Sequence, residues 1–158
     1  MKHEKGETMA IIGALHTGYT VRDMAASLAF YCDLLGFRLI SERPEITASY
    51  FRDIVGMPDA VVHAVLLEIP GTVHTLELFE YKLPQGAPQT LTPTCNPGSA
   101  HLCYQVDDLN AMYENLKAAG CTFISAPTYI DSGPSAGAWA LYMKDPNGAP
   151  IELQQKPS

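Results

Sequence analysis

The stretch HTGYTVRDM, residues 16–24, returns as HLCYQVDDL at residues 101–109. His, Tyr, Val and Asp occupy matching places in the two copies. Recurrence of this kind is typical of a chain built from two like units. Apolar residues at helical spacing follow each copy, from Met24 to Leu35 and from Leu109 to Ala119. The repeat therefore predicts that each half begins with a strand and continues into a helix.

Both predicted helices carry the same signals at their ends. Asp23 and Asp108 stand before the first turns, where a carboxylate can accept hydrogen bonds from free backbone amides. Gly36 and Gly120 follow the last turns and suit the left-handed conformation that often ends a helix. The two helices are therefore predicted to be true counterparts.

The remaining residues of each half are predicted to form strands. A short strand follows each helix, at 37–40 and at 121–124. Closing hairpins are predicted around turns rich in Pro, Gly, Asn and Asp, at 61–69 with 74–81 and at 138–143 with 150–154. Each half thus has the order β-α-β-β-β, and the predicted fold class is α+β with two tandem βαβββ modules.

Proline content marks the boundary between the modules. Residues 82–99 include four prolines and are predicted to be a linker between a first module at 10–81 and a second at 100–158. Residues 1–9 are polar and are predicted to be a flexible N-terminus. The stretches 41–60 and 126–137 are predicted to be irregular and long enough to serve as substrate loops.

Bulk composition restricts the partners. The 158 residues carry a net charge of -7, which argues against nucleic acid or an anionic membrane as the main partner. None of the four cysteines forms a CxxC pair, so buried free thiols are expected. The sequence shows neither a secretory leader nor an apolar run of membrane-spanning length, and a cytoplasmic protein is expected.

Four residues stand out because the repeat duplicates them. His16 and His101 open the first strands, and Glu77 and Glu152 lie in the last strands. Along a strand, each Glu points away from its apolar neighbours, which could mean simple exposure to solvent. Duplication of both residue types favours a metal site instead. Two imidazoles and two carboxylates suit Zn²⁺, Ni²⁺, Co²⁺, Fe²⁺ or Mn²⁺, with positions left for substrate, as in catalytic sites.

With these residues in view, the sequence resembles the vicinal oxygen chelate superfamily, which includes glyoxalase I, epimerases, extradiol dioxygenases and bleomycin-resistance proteins. The likeness runs from about residue 11 to residue 155 and is carried by LHTGYTVRDMAASLAFYCDLLGF, TLELFEY, AHLCYQVDDLNAMYENLKAAG and MKDPNGAPIEL. It implies paired βαβββ modules whose curved sheet encloses one divalent metal ion held by His16, Glu77, His101 and Glu152.

The resemblance also implies chemistry. In its metal-dependent members, substrate oxygens chelate the ion, an enediolate or enolate is stabilised, and a carboxylate moves the proton. Glu152 and Glu77 would be the catalytic bases here. Glyoxalase I normally has Arg and Asn where this chain has Thr20 and Tyr81, so glutathione substrates are disfavoured. The Asn-Pro-Gly stretch before His101 and the run at 133–139 resemble epimerases of cyclic polyol ketones.

The expected function is therefore a metal-dependent isomerase or epimerase of a small oxygenated substrate, in a homodimer. A lyase or dioxygenase on the same metal cleft remains an alternative, as does a binding protein that only sequesters its ligand. The modules that form the cleft could belong to one chain or to two. Aromatic residues that could line a pocket, but are mostly interpreted as core, are Tyr19, Phe79, Tyr81, Tyr104, Trp139 and Tyr142.

Overall fold

The computed structural model describes residues 10–87 and 93–157. The predicted flexible segment at 1–9 and part of the predicted linker lie outside these residues. Within them, no helix is both long and apolar enough to cross a membrane.

Each half of the chain forms one sheet. The first half consists of β1 (His16–Thr20), α1 (Met24–Leu28) with a π-helical continuation (Ala29–Leu34), β2 (Arg38–Ile46), α2 (Ser49–Val55), β3 (Val61–Glu68) and β4 (Thr75–Leu83). The second consists of β5 (Leu102–Gln105), α3 (Leu109–Ala118), β6 (Thr122–Phe123), β7 (Thr128–Tyr129), β8 (Trp139–Lys144) and β9 (Pro150–Gln155).

The two sheets have matching strand orders. They are β1-β4-β3-β2 and β5-β9-β8-β6, with β7 added on β8. In each sheet the first strand is parallel to the last, and the other pairs are antiparallel. The predicted α+β fold with two related modules is therefore confirmed.

The predicted helix ends are also confirmed. The Asp23 carboxylate accepts a hydrogen bond from the Ala26 amide at 2.9 Å. The Asp108 carboxylate accepts one from the Ala111 amide at the same distance of 2.9 Å. Gly36 and Gly120 have φ values of 75° and 83°, in the left-handed region that a side chain disfavours.

Two parts of the first half differ from the prediction. The stretch 41–60 is not a loop: β2 continues to Ile46, and α2 follows it at Ser49–Val55. This short helix is held by tertiary contact, because its buried Phe51 meets the Phe79 ring at a centroid distance of 5.8 Å. The first predicted helix widens into a π-helix after Leu28, where the consecutive Phe30 and Tyr31 are both buried.

One apolar core joins the two halves. Val65, Leu67, Leu76 and Leu78 of the first sheet share it with Leu141, Met143, Ile151 and Leu153 of the second, together with residues of α1, the π-helix and α3. Because side chains alternate along a strand, Glu77 lies on the side of the first sheet that faces away from this core. Glu152 lies on the corresponding side of the second sheet. We call these sides the Glu77 face and the Glu152 face.

The turn between β8 and β9 attaches the second sheet to the first helix. Asp145 is buried, and its carboxylate accepts a hydrogen bond from the Tyr31 hydroxyl at 3.2 Å. The Asn147 side chain accepts one from the Arg22 amide at 2.8 Å and donates to the Ser27 hydroxyl at 3.3 Å. These bonds and the shared core fix the two halves with their Glu faces turned away from that core.

Candidate metal-binding site

Each sheet brings its own histidine and glutamate together. His16 opens β1, whose partner strand β4 carries Glu77, and His16 Nε2 lies 3.1 Å from Glu77 Oε2. His101 immediately precedes β5, beside β9 with Glu152, and His101 Nε2 lies 3.1 Å from Glu152 Oε2. Two equivalent half-sites result, one on each Glu face.

The spacing in each half-site fits two ligands of one ion. Nitrogen and oxygen donors bind a divalent metal at about 2.1 Å, so two neighbouring donors of one ion are roughly 3.0–3.4 Å apart. Without an ion, the same spacing suits a hydrogen bond between the imidazole and the carboxylate. The donor types and their separation therefore both suit a metal bound by each pair.

The two half-sites do not combine within one chain. Across residues 10–87 and 93–157, no group of three or more His, Cys, Asp and Glu side chains is placed to hold a metal ion. The structure thus brings His16 to Glu77 and His101 to Glu152, but it does not gather the four predicted ligands into one centre.

The second half-site has a further polar residue, Tyr142, on the neighbouring strand. Its hydroxyl lies 2.9 Å from His101 Nε2 and donates a hydrogen bond to Glu152 Oε2 at 3.2 Å. Its ring also meets the His101 ring edge-on, with centroids 5.0 Å apart. Burial and the Glu152 charge raise the pKa of this phenol, so it stays protonated as a donor at neutral pH.

Cys103 is the other neighbour of Glu152. Partial desolvation of the sulfur, the charge of Glu152 and a hydrogen bond to its carboxylate raise the pKa of the Cys103 thiol to about 11, although the residue as a whole is exposed. The expectation of four buried thiols was wrong, since Cys95 and Cys103 are exposed, although all four cysteines are free. Strand alternation could have placed Cys103 at the site, because it stands two residues after His101.

The two half-sites differ beyond their ligands. Cys103, Glu152 and Tyr142 are cross-strand partners in one row of the second sheet. The matching row of the first sheet is Gly18, Glu77 and Leu66. The first half-site therefore lacks the hydroxyl and thiol that hold Glu152 in the second.

The aromatic residues divide between core and site. Tyr19 and Tyr104 pack against the shared core, and Phe79 and Tyr81 pack against a smaller cluster under α2. Packing against a core cluster was thus predicted correctly for these four, although Phe79 also lines a small cavity on the Glu77 face. Trp139 is 37% exposed and is not part of the core. Tyr142 instead contacts the half-site.

A family model for the glyoxalase/bleomycin resistance protein/dioxygenase superfamily matches residues 13–153. The chain belongs to this superfamily. Members typically use a divalent metal ion, and the fold agrees with solved members. The crystal structure of a glyoxalase family protein from Bacillus cereus superposes with a TM-score of 0.83 at 15% identity, covering 97% of this chain and 99% of that one.

Named relatives in the superfamily are epimerases and lyases. The chain is 31% identical to a 2-epi-5-epi-valiolone epimerase from an Actinomyces species, over 90% of this chain and 79% of the relative. It is 30% identical to an ethylmalonyl-CoA/methylmalonyl-CoA epimerase from Cereibacter sphaeroides, over 92% and 99%. A probable lactoylglutathione lyase from Synechocystis is 26% identical, over 91% and 95%.

Proposed function

We propose that this superfamily member is a metal-dependent epimerase or isomerase of a small oxygenated substrate. The observation that carries the proposal is the pair of His–Glu half-sites, each with its donors 3.1 Å apart. Both epimerase relatives are named for substrates that contain a carbonyl group, although one is a cyclic polyol ketone and the other an acyl-CoA. Removal of a proton beside a carbonyl is the chemistry that such substrates share.

We also propose that a whole site requires two copies of the chain. His16 and Glu77 of one copy would meet His101 and Glu152 of another, which completes the four-ligand set. The separation of the pairs within one chain supports this arrangement. Self-complementary pairing of two copies would form two identical sites, as two-fold symmetry requires.

The residues would divide the work of proton transfer. A divalent ion held by the four ligands would polarise the substrate carbonyl and acidify the neighbouring C–H. Glu77 and Glu152 are then the two groups that can take and return the proton from opposite sides of the substrate. Tyr142 fixes the orientation of the Glu152 carboxylate through its hydroxyl, 3.2 Å from Oε2.

A glutathione adduct is a poor candidate for the substrate. Thr20 and Tyr81 occupy the positions where glyoxalase I normally has Arg and Asn. Tyr81 is instead engaged in packing, with its ring 6.4 Å from that of Phe79. A polyol ketone or another compact hydroxy-carbonyl compound fits the proposal better.

Metal titration followed by isotope exchange tests the function. The metal-stripped protein should take up about one Co²⁺ per chain, and Glu77→Gln and Glu152→Gln should each weaken the uptake at least tenfold. His74→Gln is the matched control, because His74 bonds to Thr17 rather than to a predicted ligand. In D₂O the loaded enzyme should exchange the proton beside the carbonyl of hydroxyacetone or a polyol ketone.

Two results would reject the proposal. A wild-type protein that stays metal-free at millimolar Co²⁺ has no metal site, and a sequestering role would then replace catalysis. Oxygen consumption without deuterium exchange would instead indicate dioxygenase chemistry.

A further inference from the structure

A small cavity opens beside Glu77 on the Glu77 face. Its volume is about 130 Å³, and it lies between the strands and α2. Ile46, Phe51 and Phe79 contribute apolar walls, whereas Ser41 and Arg43 contribute polar groups. One end of the cavity thus has the carboxylate of a predicted metal ligand, and the other has a guanidinium.

Strand register fixes this arrangement. Ser41, Leu66 and Glu77 are partners in one row across β2, β3 and β4. Arg43, Ala64 and Phe79 form another row, displaced by two residues along the strands and therefore on the same side of the sheet. Two strand spacings, roughly 10 Å, separate β2 from β4, so a molecule of sugar size can reach from one end of the cavity to the other.

Arg43 is free to receive an anion. Within the part of the chain that the structure describes, it forms no ion pair, while Arg38 on the same strand pairs with Glu68. Arg43 Nη1 instead donates to the Tyr50 hydroxyl at 2.9 Å. That contact leaves other guanidinium donors available and turns the Tyr50 proton toward a further acceptor. A planar guanidinium can bind carboxylate or phosphate oxygens in pairs.

We propose that this cavity is the specificity pocket of the site and that Arg43, with Tyr50 and Ser41, binds an anionic oxygen group at the far end of the substrate. The inference rests on the proposed function, because the reacting oxygens would lie at the Glu77 end. The substrate class is then a hydroxy-carbonyl compound whose chain ends in a phosphate ester or a carboxylate. A polyol ketone belongs to this class when it carries such an anionic group.

Ligand pairs that differ only at the far end test this inference. Binding to the Co²⁺-loaded protein is compared for D-xylulose and D-xylulose 5-phosphate, and for 5-hydroxy-4-oxopentanamide and 5-hydroxy-4-oxopentanoate. Charge-assisted hydrogen bonds should make the anionic member of at least one pair bind about tenfold tighter or more. The pair that shows the advantage tells whether phosphate or carboxylate is preferred. Equal binding within both pairs would overturn the inference.

Two variants assign the effect to Arg43. Arg43→Gln should abolish the advantage of the anionic ligand, so that the two members of a pair bind with equal affinity. Arg38→Gln makes the same charge change on the same strand and should retain the advantage. An equal loss in both variants would show that overall charge, not the pocket, attracts the anion, and would refute the proposal.

A metal-free measurement separates this inference from the proposed function. Inorganic phosphate added to ¹⁵N-labelled, metal-stripped protein should shift the amide signals of residues 41–50, and Arg43→Gln should remove the shifts. A protein that takes up no Co²⁺ but shows these shifts would refute the metal proposal and support the anion pocket. Absence of the shifts in wild type, with normal metal uptake, would refute the pocket alone.

Discussion

Two variants that are each defective should repair one another if the metal site is shared between copies. Glu77→Gln damages the first half-site, and Glu152→Gln damages the second. In a mixed dimer, one site combines both damaged halves, and the other combines both intact halves. The repaired site would contain His16 and Glu77 of one copy with His101 and Glu152 of its partner.

The expected recovery follows from the pairing geometry. Random association of equal amounts of the two variants makes about half of the dimers mixed, and each mixed dimer has one intact site. About a quarter of all sites should therefore regain wild-type affinity. Each variant alone should have no site of wild-type affinity, because every site in its homodimer lacks one of the two carboxylates.

The assay is Co²⁺ absorption after the two variants are unfolded together and refolded. The free Co²⁺ concentration is set to fill wild-type sites but not those of either variant. The matched control mixes Glu77→Gln with His16→Gln, which damage the same half-site, so no intact site can form by exchange. Recovery in the control, or no recovery in the first mixture although mixed dimers have formed, would refute a site shared between copies.

Three further predictions concern single side chains. Asp145→Ala should lower the free energy of unfolding by about 3 kcal/mol in urea titrations, because the buried Tyr31 hydroxyl and the Asn147 amide lose their acceptor. Tyr142→Phe should weaken Co²⁺ binding about tenfold, because the hydroxyl orients Glu152. Glu152→Gln should speed iodoacetamide labelling of Cys103 at pH 8, because loss of the carboxylate charge lowers a thiol pKa now at about 11.

Each of these predictions has a matched control outside the feature it tests. Asp131→Ala removes an exposed carboxylate that accepts a hydrogen bond from the adjacent Ser132, and should change the free energy of unfolding by less than about 0.5 kcal/mol. Tyr129→Phe removes an exposed hydroxyl and should leave Co²⁺ affinity unchanged. The exposed Cys95 should label at the same rate with or without Glu152. Equal effects in test and control variants would contradict the assigned roles.

The strand periodicity of the sequence is enough to predict most of the fold. Alternation within Leu76–Leu78 and Ile151–Leu153 places both glutamates opposite the core, and the repeat pairs each with a histidine. The helix α2 is beyond such reasoning, because a helix this short depends on the contact of Phe51 with Phe79, which is distant in sequence. Strand periodicity also could not predict that the half-sites lie apart. Alternation assigns a residue to one face of its sheet, but it does not give the position of one sheet relative to the other.

The differences between the half-sites explain why a duplicated ligand set need not act symmetrically. At the second half-site, Cys103 and Tyr142 stand on either side of Glu152 and both bond to its carboxylate. At the first, Gly18 and Leu66 occupy those places and cannot donate a side-chain hydrogen bond. Glu152 is therefore the more constrained carboxylate, whereas Glu77 borders a cavity of about 130 Å³. If the proposed site forms, Glu152 would therefore be a fixed ligand, and selection of the substrate would fall to the residues around Glu77.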